Sequence, residues 1–220
     1  MAGDAPREEI GRVLGKPVYR DEIRSGKGVE IRDEVRRLFA GPIMEKYRKT
    51  HKDEIEPTKD EIDAAIAWFE KERQQQNTNA ETKLRTELDA IQKQLRAGGL
   101  TPEQKRKLEI KRLTVEIQLK PPPRTFALFM LRSWKLQRHL YDKFGGGRIL
   151  WQQAGMQAFD AMHAFLQSCE KNGDFTIVDP KLRSALYEYW TTMNHGAFLT
   201  NDRERIRTEF LEPKWVTIER

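Results

Sequence analysis

Apolar residues recur along this chain mostly at three- and four-residue spacings, and the segments they mark are separated by glycine and proline, so the pattern predicts a mainly helical protein. Ile10-Gly11-Arg12-Val13-Leu14 followed by Gly15-Lys16-Pro17-Val18 is the first exception and reads as a short strand entering a turn. Ile31, Val35, Leu38, Phe39, Ile43 and Tyr47 then lie mainly on one helical face, with a kink or break expected at Gly41-Pro42. Thr58 opens the next helix and Glu61, three residues on, completes a capping box; its apolar stripe is Ile62, Ala65, Ile66 and Phe69.

Residues 70 to 120 carry no aromatic side chain and are dominated by Lys, Glu, Gln and Arg. Leu84, Leu88, Ile91 and Leu95 form the narrow seam of a coiled-coil-like helix. Ala97-Gly98-Gly99 ends it, and Thr101-Pro102-Glu103-Gln104 restarts a helix with an N-cap, an N1 proline and a capping-box glutamine. An antiparallel helical hairpin follows. Its return arm also alternates like a strand at Leu113, Val115, Ile117 and Leu119; read as a helix, it puts Ile110, Leu113 and Ile117 on one side and Leu108, Val115 and Leu119 on the other. A helix lying between its hairpin mate and another surface accounts for both stripes.

Beyond Pro121-Pro122-Pro123, Thr125 is expected to cap a long helix that Gly145-Gly146-Gly147 ends. Another helix is expected near Met156 to Lys171, stopping at Asn172-Gly173, and Asp179-Pro180 starts a third with Leu182, Leu186, Tyr189, Trp190 and Met193. A short helix with Ile206 and Phe210 stops at Pro213. Trp215-Val216-Thr217-Ile218 reads as a strand able to pair with Ile10 to Leu14.

Val13, Gly15, Pro17, Val18, Asp21 and Glu22 match a Val-x-Gly-x-Pro-Val strand-turn unit with its acidic close, and Pro57 to Ile66 matches Pro-Thr-x-x-Glu-Ile-x-x-Ala-Ile. In this order the two resemble the N-terminal domain of SurA-type periplasmic chaperones over about residues 10 to 72. The resemblance implies a helical chaperone core closed by a short two-stranded β element from the two termini. Residues 1–72 would be the SurA-N-like segment, 73–120 a protruding charged hairpin, and 121–220 a helical segment packing with 10–72. The family's parvulin-like isomerase domain has no counterpart here, which leaves client binding without isomerase activity. Leu14 stands where the family often has Asn, and the C-terminal half matches no family pattern.

The 220 residues include 40 Lys+Arg against 34 Asp+Glu, a net charge of +6, but the charges are interspersed, which argues against a nucleic-acid partner. Arg132, Lys135, His139 and Lys143 line one basic stripe and read best as a solvated face. Cys169, the single cysteine, excludes an internal disulfide. His51, His139, His163 and His195 fall in different elements with no metal-ligand spacing, so neither metal, cofactor nor catalytic residue is expected. The glycine triplet before Arg148 lacks the Gly-Lys-Ser/Thr of a phosphate loop and reads as a helix stop. No apolar run spans a bilayer, and the N-terminus lacks the apolar stretch of a signal peptide. The resemblance implies a periplasmic chain whose leader is removed; the sequence equally allows a cytoplasmic one.

The expected function is therefore a holdase or assembly factor for unfolded or envelope polypeptides, with Trp134, Tyr141 and Trp151 as the exposed client-binding aromatics. The alternative is an adaptor whose Leu84, Leu88, Ile91 and Leu95 seam pairs with one partner or with a second copy of the chain.

Overall fold

The computed structural model describes residues 7–24, 26–76, 78–120, 123–152, 155–192 and 194–216. They fall into two compact units, one of residues 1–57 and 130–212, the other of 58–129 and 213–220.

In the first unit β1 (Glu9–Val13) and β2 (Lys16–Tyr19) form a hairpin whose turn residues, Leu14 and Gly15, both have positive φ, at 50° and 77°. Such a turn matches the twist of the strands and favours Asn-Gly, whereas leucine is strained there. Leu14→Asn is expected to raise stability by about 0.5–1 kcal/mol, read from the urea midpoint. The acidic close of the unit is held by Arg7, which pairs with Asp21 at 2.6 Å, while the Tyr19 amide donates to Glu22. Next come α1 (Ile31–Val35), a π-helical turn over Arg36–Ala40 and α2 (Gly41–Thr50). The interruption expected at Gly41-Pro42 is thus a change of helical register, in which the Gly41 amide donates to the Arg36 carbonyl. Pro42 occupies the first turn of α2, where its missing N–H costs little. A short helix, α3 (Lys52–Ile55), follows.

Glu34 on α1 is the one charged side chain buried among the described residues. It accepts from the Arg37 guanidinium at 2.7 Å and from the Arg24 amide at 3.1 Å. The Arg37 contact outweighs burial and holds the Glu34 carboxyl below its ordinary range. The native state therefore binds this proton less readily than the unfolded chain does. Its stabilisation is complete above the ordinary carboxylate range and is lost as pH falls from there through the lower native value. Glu34→Gln is expected to lower the urea midpoint near pH 7 and to cost much less near pH 3.

The second unit holds α4 (Lys59–Gln76), α5 (Thr78–Ala97) and α6 (Pro102–Leu119), together with residues 124–129 of α7 (Arg124–Lys143). The Thr58/Glu61 and Thr101/Gln104 capping boxes both form. The return arm of the hairpin is helical throughout. Thr125 lies inside α7 and not at its cap: the Pro123 carbonyl accepts the Phe126 and Ala127 amides. Pro121 and Pro122 lie outside the described residues.

Back in the first unit, α7 leads to β3 (Ile149–Gln152), β4 (Gly155–Ala158), α8 (Phe159–Lys171), β5 (Phe175–Ile177) and α9 (Pro180–Thr191). After these come β6 (Leu199–Thr200), α10 (Arg203–Arg205) and a π-helical turn to Leu211. Residues 156–158, expected to begin a helix, are strand instead.

The mainly helical fold carries two three-stranded antiparallel sheets, ordered β2-β1-β5 and β4-β3-β6. The β element therefore differs from the expected terminal pair. The partners of β1 are β2 and β5; Trp215 and Val216 sit in a turn, and Thr217 and Ile218 lie outside the described residues. The β1–β5 pairing ties the N-terminal hairpin to the C-terminal half, and Phe39, Phe175, Leu140, Leu166, Leu182 and Leu186 close the main core around it. A smaller core gathers Ile149, Ala158, Ala161, Ile206 and Phe210. No helix among the described residues is long and apolar enough to cross a membrane.

Candidate polypeptide-binding surface

Helix α6 has two apolar stripes because its leucines, isoleucines and valine repeat at helical spacing on opposite sides. Val115 is buried, with Leu108 and Leu119 half-buried beside it, on the side that meets α5. There Ile91 is buried and Leu84, Leu88 and Leu95 are half-buried, so the seam is occupied by the chain's own return helix. Lys111 and Glu87 bridge the two arms at 2.7 Å, and the Arg73 guanidinium caps the Leu119 carbonyl.

On the other side, Ile110, Leu113 and Ile117 are 55%, 50% and 67% exposed. Phe126 and Phe129, one helical turn apart at the start of α7, are exposed as well, although Phe126 keeps an edge contact with Phe69 at 6.0 Å. Five of the ten large apolar side chains left exposed among the described residues thus lie in the smaller unit. Among its described residues that unit buries only Ile62, Ala65, Ile91, Val115, Ala127 and Pro213. Scattered exposed leucines need no explanation, but a run at i, i+3 and i+7 on one helix does. Arg106, Lys107 and Lys120 are exposed at the ends of the run; Lys107 pairs with Glu103 at 2.8 Å.

The three aromatics expected to bind clients lie elsewhere and differently. Trp134, Tyr141 and Trp151 are half-buried around the smaller core of the first unit. The Trp134 indole N–H donates to the Phe210 carbonyl at 2.7 Å, and Tyr141 meets the Phe210 ring edge-on at 5.4 Å. Trp151 lies under the Arg205 guanidinium, 4.6 Å from its ring centre. Large side chains with one polar atom are common at the margin of a core, and periodicity alone could not tell that position from an exposed one. The stripe on α6 was visible in the sequence, but as a face to be covered.

Other candidates resolve into structural roles. The Gly147 turn sits so close to Asp160 that a Cβ there would lie 2.6 Å from its Oδ2. Asp160 accepts from both the amide and the guanidinium of Arg148, at 2.7 Å each, so a carboxylate fills the place an anion would take. Burial alone would raise the Asp160 carboxyl, but Arg148 outweighs it and holds it low. Cys169 is buried, and burial pushes its thiol up to about 11, as befits an inert core residue. Arg132 pairs with Glu56 and Lys135 donates to the Glu56 carbonyl, so the first two members of the basic stripe of α7 are met by local oxygens.

A cleft of about 450 Å³ is lined by Leu150, Trp151, Gln152, Tyr189, His195 and Phe198 among others. Several of its polar groups satisfy one another: the Tyr189 hydroxyl donates to Gln157, which also accepts from Gln152, and His195 Nε2 is 2.9 Å from the Tyr189 carbonyl, whereas the buried Trp151 indole N–H has no partner. That geometry presents no nucleophile beside a base. No family model, curated protein or solved structure matches the chain, so a functional reading rests on its own residues.

Proposed function

We propose that the chain is a non-catalytic, chaperone-like polypeptide-binding protein that takes short apolar segments of other polypeptides on α6. The observation that carries this reading is the uncovered run of Ile110, Leu113 and Ile117 on a helix whose opposite side is already filled. The occupant that fits is an apolar stretch of an unfolded chain with acidic flanks. Three side chains spread over two turns, roughly 10 Å, match a short segment better than a large preformed interface. Arg106 and Lys120, at the two ends of the run, favour acidic neighbours on the client, as does the net charge of +6. The SurA-like signatures between residues 10 and 66 support the same reading and a setting in the cell envelope, and they assign no isomerase step to the chain.

A second reading is favoured by the spacing of the run, which is that of one face of a two-helix seam. It makes the chain an adaptor that accepts a single partner helix or the α6 of a second copy. Light scattering of an unrelated protein aggregating on warming, with and without a stoichiometric amount of this chain, separates the two. Suppression is expected for the chaperone reading. No suppression, together with a dimer or a single stoichiometric complex in sedimentation, would establish the adaptor instead.

A further inference from the structure

Two of the four histidines, distant in sequence, meet in the first unit. His51 closes α2 and opens α3, Glu54 lies one turn further on, and His139 comes from the unit's part of α7. One ligand atom from each of the three lies within 4.8 Å of the other two. His51 Nδ1 is 2.8 Å from Glu54 Oε1, and His139 Nδ1 is 3.6 Å from Glu54 Oε2. The imidazole centres are 4.7 Å apart, and the Tyr47 ring packs against both, at 4.4 and 5.6 Å.

A histidine and a glutamate at the start of a short helix are ordinary hydrogen-bond partners, and that accounts for His51 and Glu54. It does not account for His139. This side chain is only 9% exposed, its Nε2 is buried with no partner, and its Nδ1 stands beyond hydrogen-bond distance from the carboxylate it faces. A buried imidazole left so is rare, and ligation through Nδ1, the nitrogen that faces Glu54, is one of the few things that gives this ring a partner.

We propose that His51, Glu54 and His139 hold one borderline divalent cation of the zinc type, fastening the α2–α3 corner to α7. Two imidazole nitrogens and one carboxylate oxygen suit zinc, whereas calcium and magnesium take oxygen donors almost exclusively. Ligand bonds of about 2.0–2.1 Å place neighbouring donors about 3.3 Å apart around a tetrahedral ion. The cage closes to that size by small side-chain adjustments, chiefly of the half-exposed Glu54. With both Nδ1 atoms as donors, each ring carries its proton on Nε2. The exposed side of Glu54 leaves the remaining coordination position to water. Lys143 and Asp142, the charged groups beside His139, act on it with opposite sign.

The full chain, stripped of metal, is titrated with Zn²⁺ by calorimetry and then loaded with Co²⁺ to read its visible d–d bands. One cation per chain, Co²⁺ bands of low coordination number and a Tm several degrees higher on saturation are expected. His51 and Glu54 are partly exposed, so His51→Ala and Glu54→Gln should fold; each is expected to weaken binding by at least about tenfold. His163→Gln, in another part of the unit, should leave binding unchanged. The proposal is overturned by the lack of saturable uptake at millimolar Zn²⁺. It is equally overturned if uptake falls no further in His51→Ala and Glu54→Gln than in His163→Gln, which would mean adventitious surface binding only.

Discussion

Gly11→Ala is expected to destabilise the first unit by roughly 3–5 kcal/mol, a large share of the 5–15 kcal/mol that holds a typical domain together. Gly11 lies in the central strand of the β2-β1-β5 sheet, opposite Ile177 on one side and Val18 on the other. A Cβ there would sit 2.1 Å from the Thr176 carbonyl oxygen, 3.1 Å from the Ile177 Cα and 3.0 Å from the Phe39 ring. Two of these three neighbours are backbone, so no flexible side chain can swing aside. Either β5 separates from β1 or Phe39, fully buried against Phe175, is displaced from the main core. Overpacking typically costs about 1–3 kcal/mol, and each ladder hydrogen bond lost adds about 0.5–1.5 kcal/mol. Urea unfolding followed by circular dichroism measures the loss; a change below about 1 kcal/mol would mean that the sheet does not pair as described.

The second large effect concerns binding. Replacing Ile110, Leu113 and Ile117 together by serine is expected to weaken client binding by at least about a hundredfold while leaving the unfolding midpoint of the chain nearly unchanged. Full burial of such a side chain contributes about 1.5–3 kcal/mol. These three begin half to two-thirds exposed, so covering them releases part of that, together about 3–5 kcal/mol. In the free protein the same side chains contribute little, and surface substitutions of this kind change stability by about 0.5 kcal/mol or less each. The control is Val115→Ser on the opposite face of α6, where the side chain is 4% exposed. That variant should lower stability first and binding only as a consequence. Fluorescence anisotropy of a labelled unfolded polypeptide, with thermal unfolding of each variant, reads both quantities.

Much of this architecture can be read from local signals. Thr58 with Glu61 and Thr101 with Gln104 announce helix starts because capping is settled within four residues. The two stripes of α6 are legible for the same reason: helical periodicity is local. What escapes is decided by partners far along the chain. Ile149 to Gln152 and Gly155 to Ala158 are strands of four residues, too short to display a period, and β3 is completed only by β6 some fifty residues on. Gly11 looked like part of a strand, but the need for glycine there comes from Thr176 and Phe39. The meeting of His51 with His139 likewise depends on how α7 lies against the α2–α3 corner, and no spacing within either helix reports it. Burial was misjudged in both directions, because periodicity marks a face without saying what covers it. Trp134, Tyr141 and Trp151 gather around the smaller core, whereas the uncovered apolar run is made of aliphatic side chains on the aromatic-free part of the chain.

Site-specific photo-crosslinking tests the central claim most directly. A benzophenone side chain is placed at Leu113, in the middle of the run, or at Arg85, exposed on α5, and each protein is irradiated with a labelled unfolded polypeptide. The proposed binding surface requires strong capture from position 113 and little from position 85. Equal capture from both positions, or none from position 113 while the protein still suppresses aggregation, would show that clients bind elsewhere on the chain.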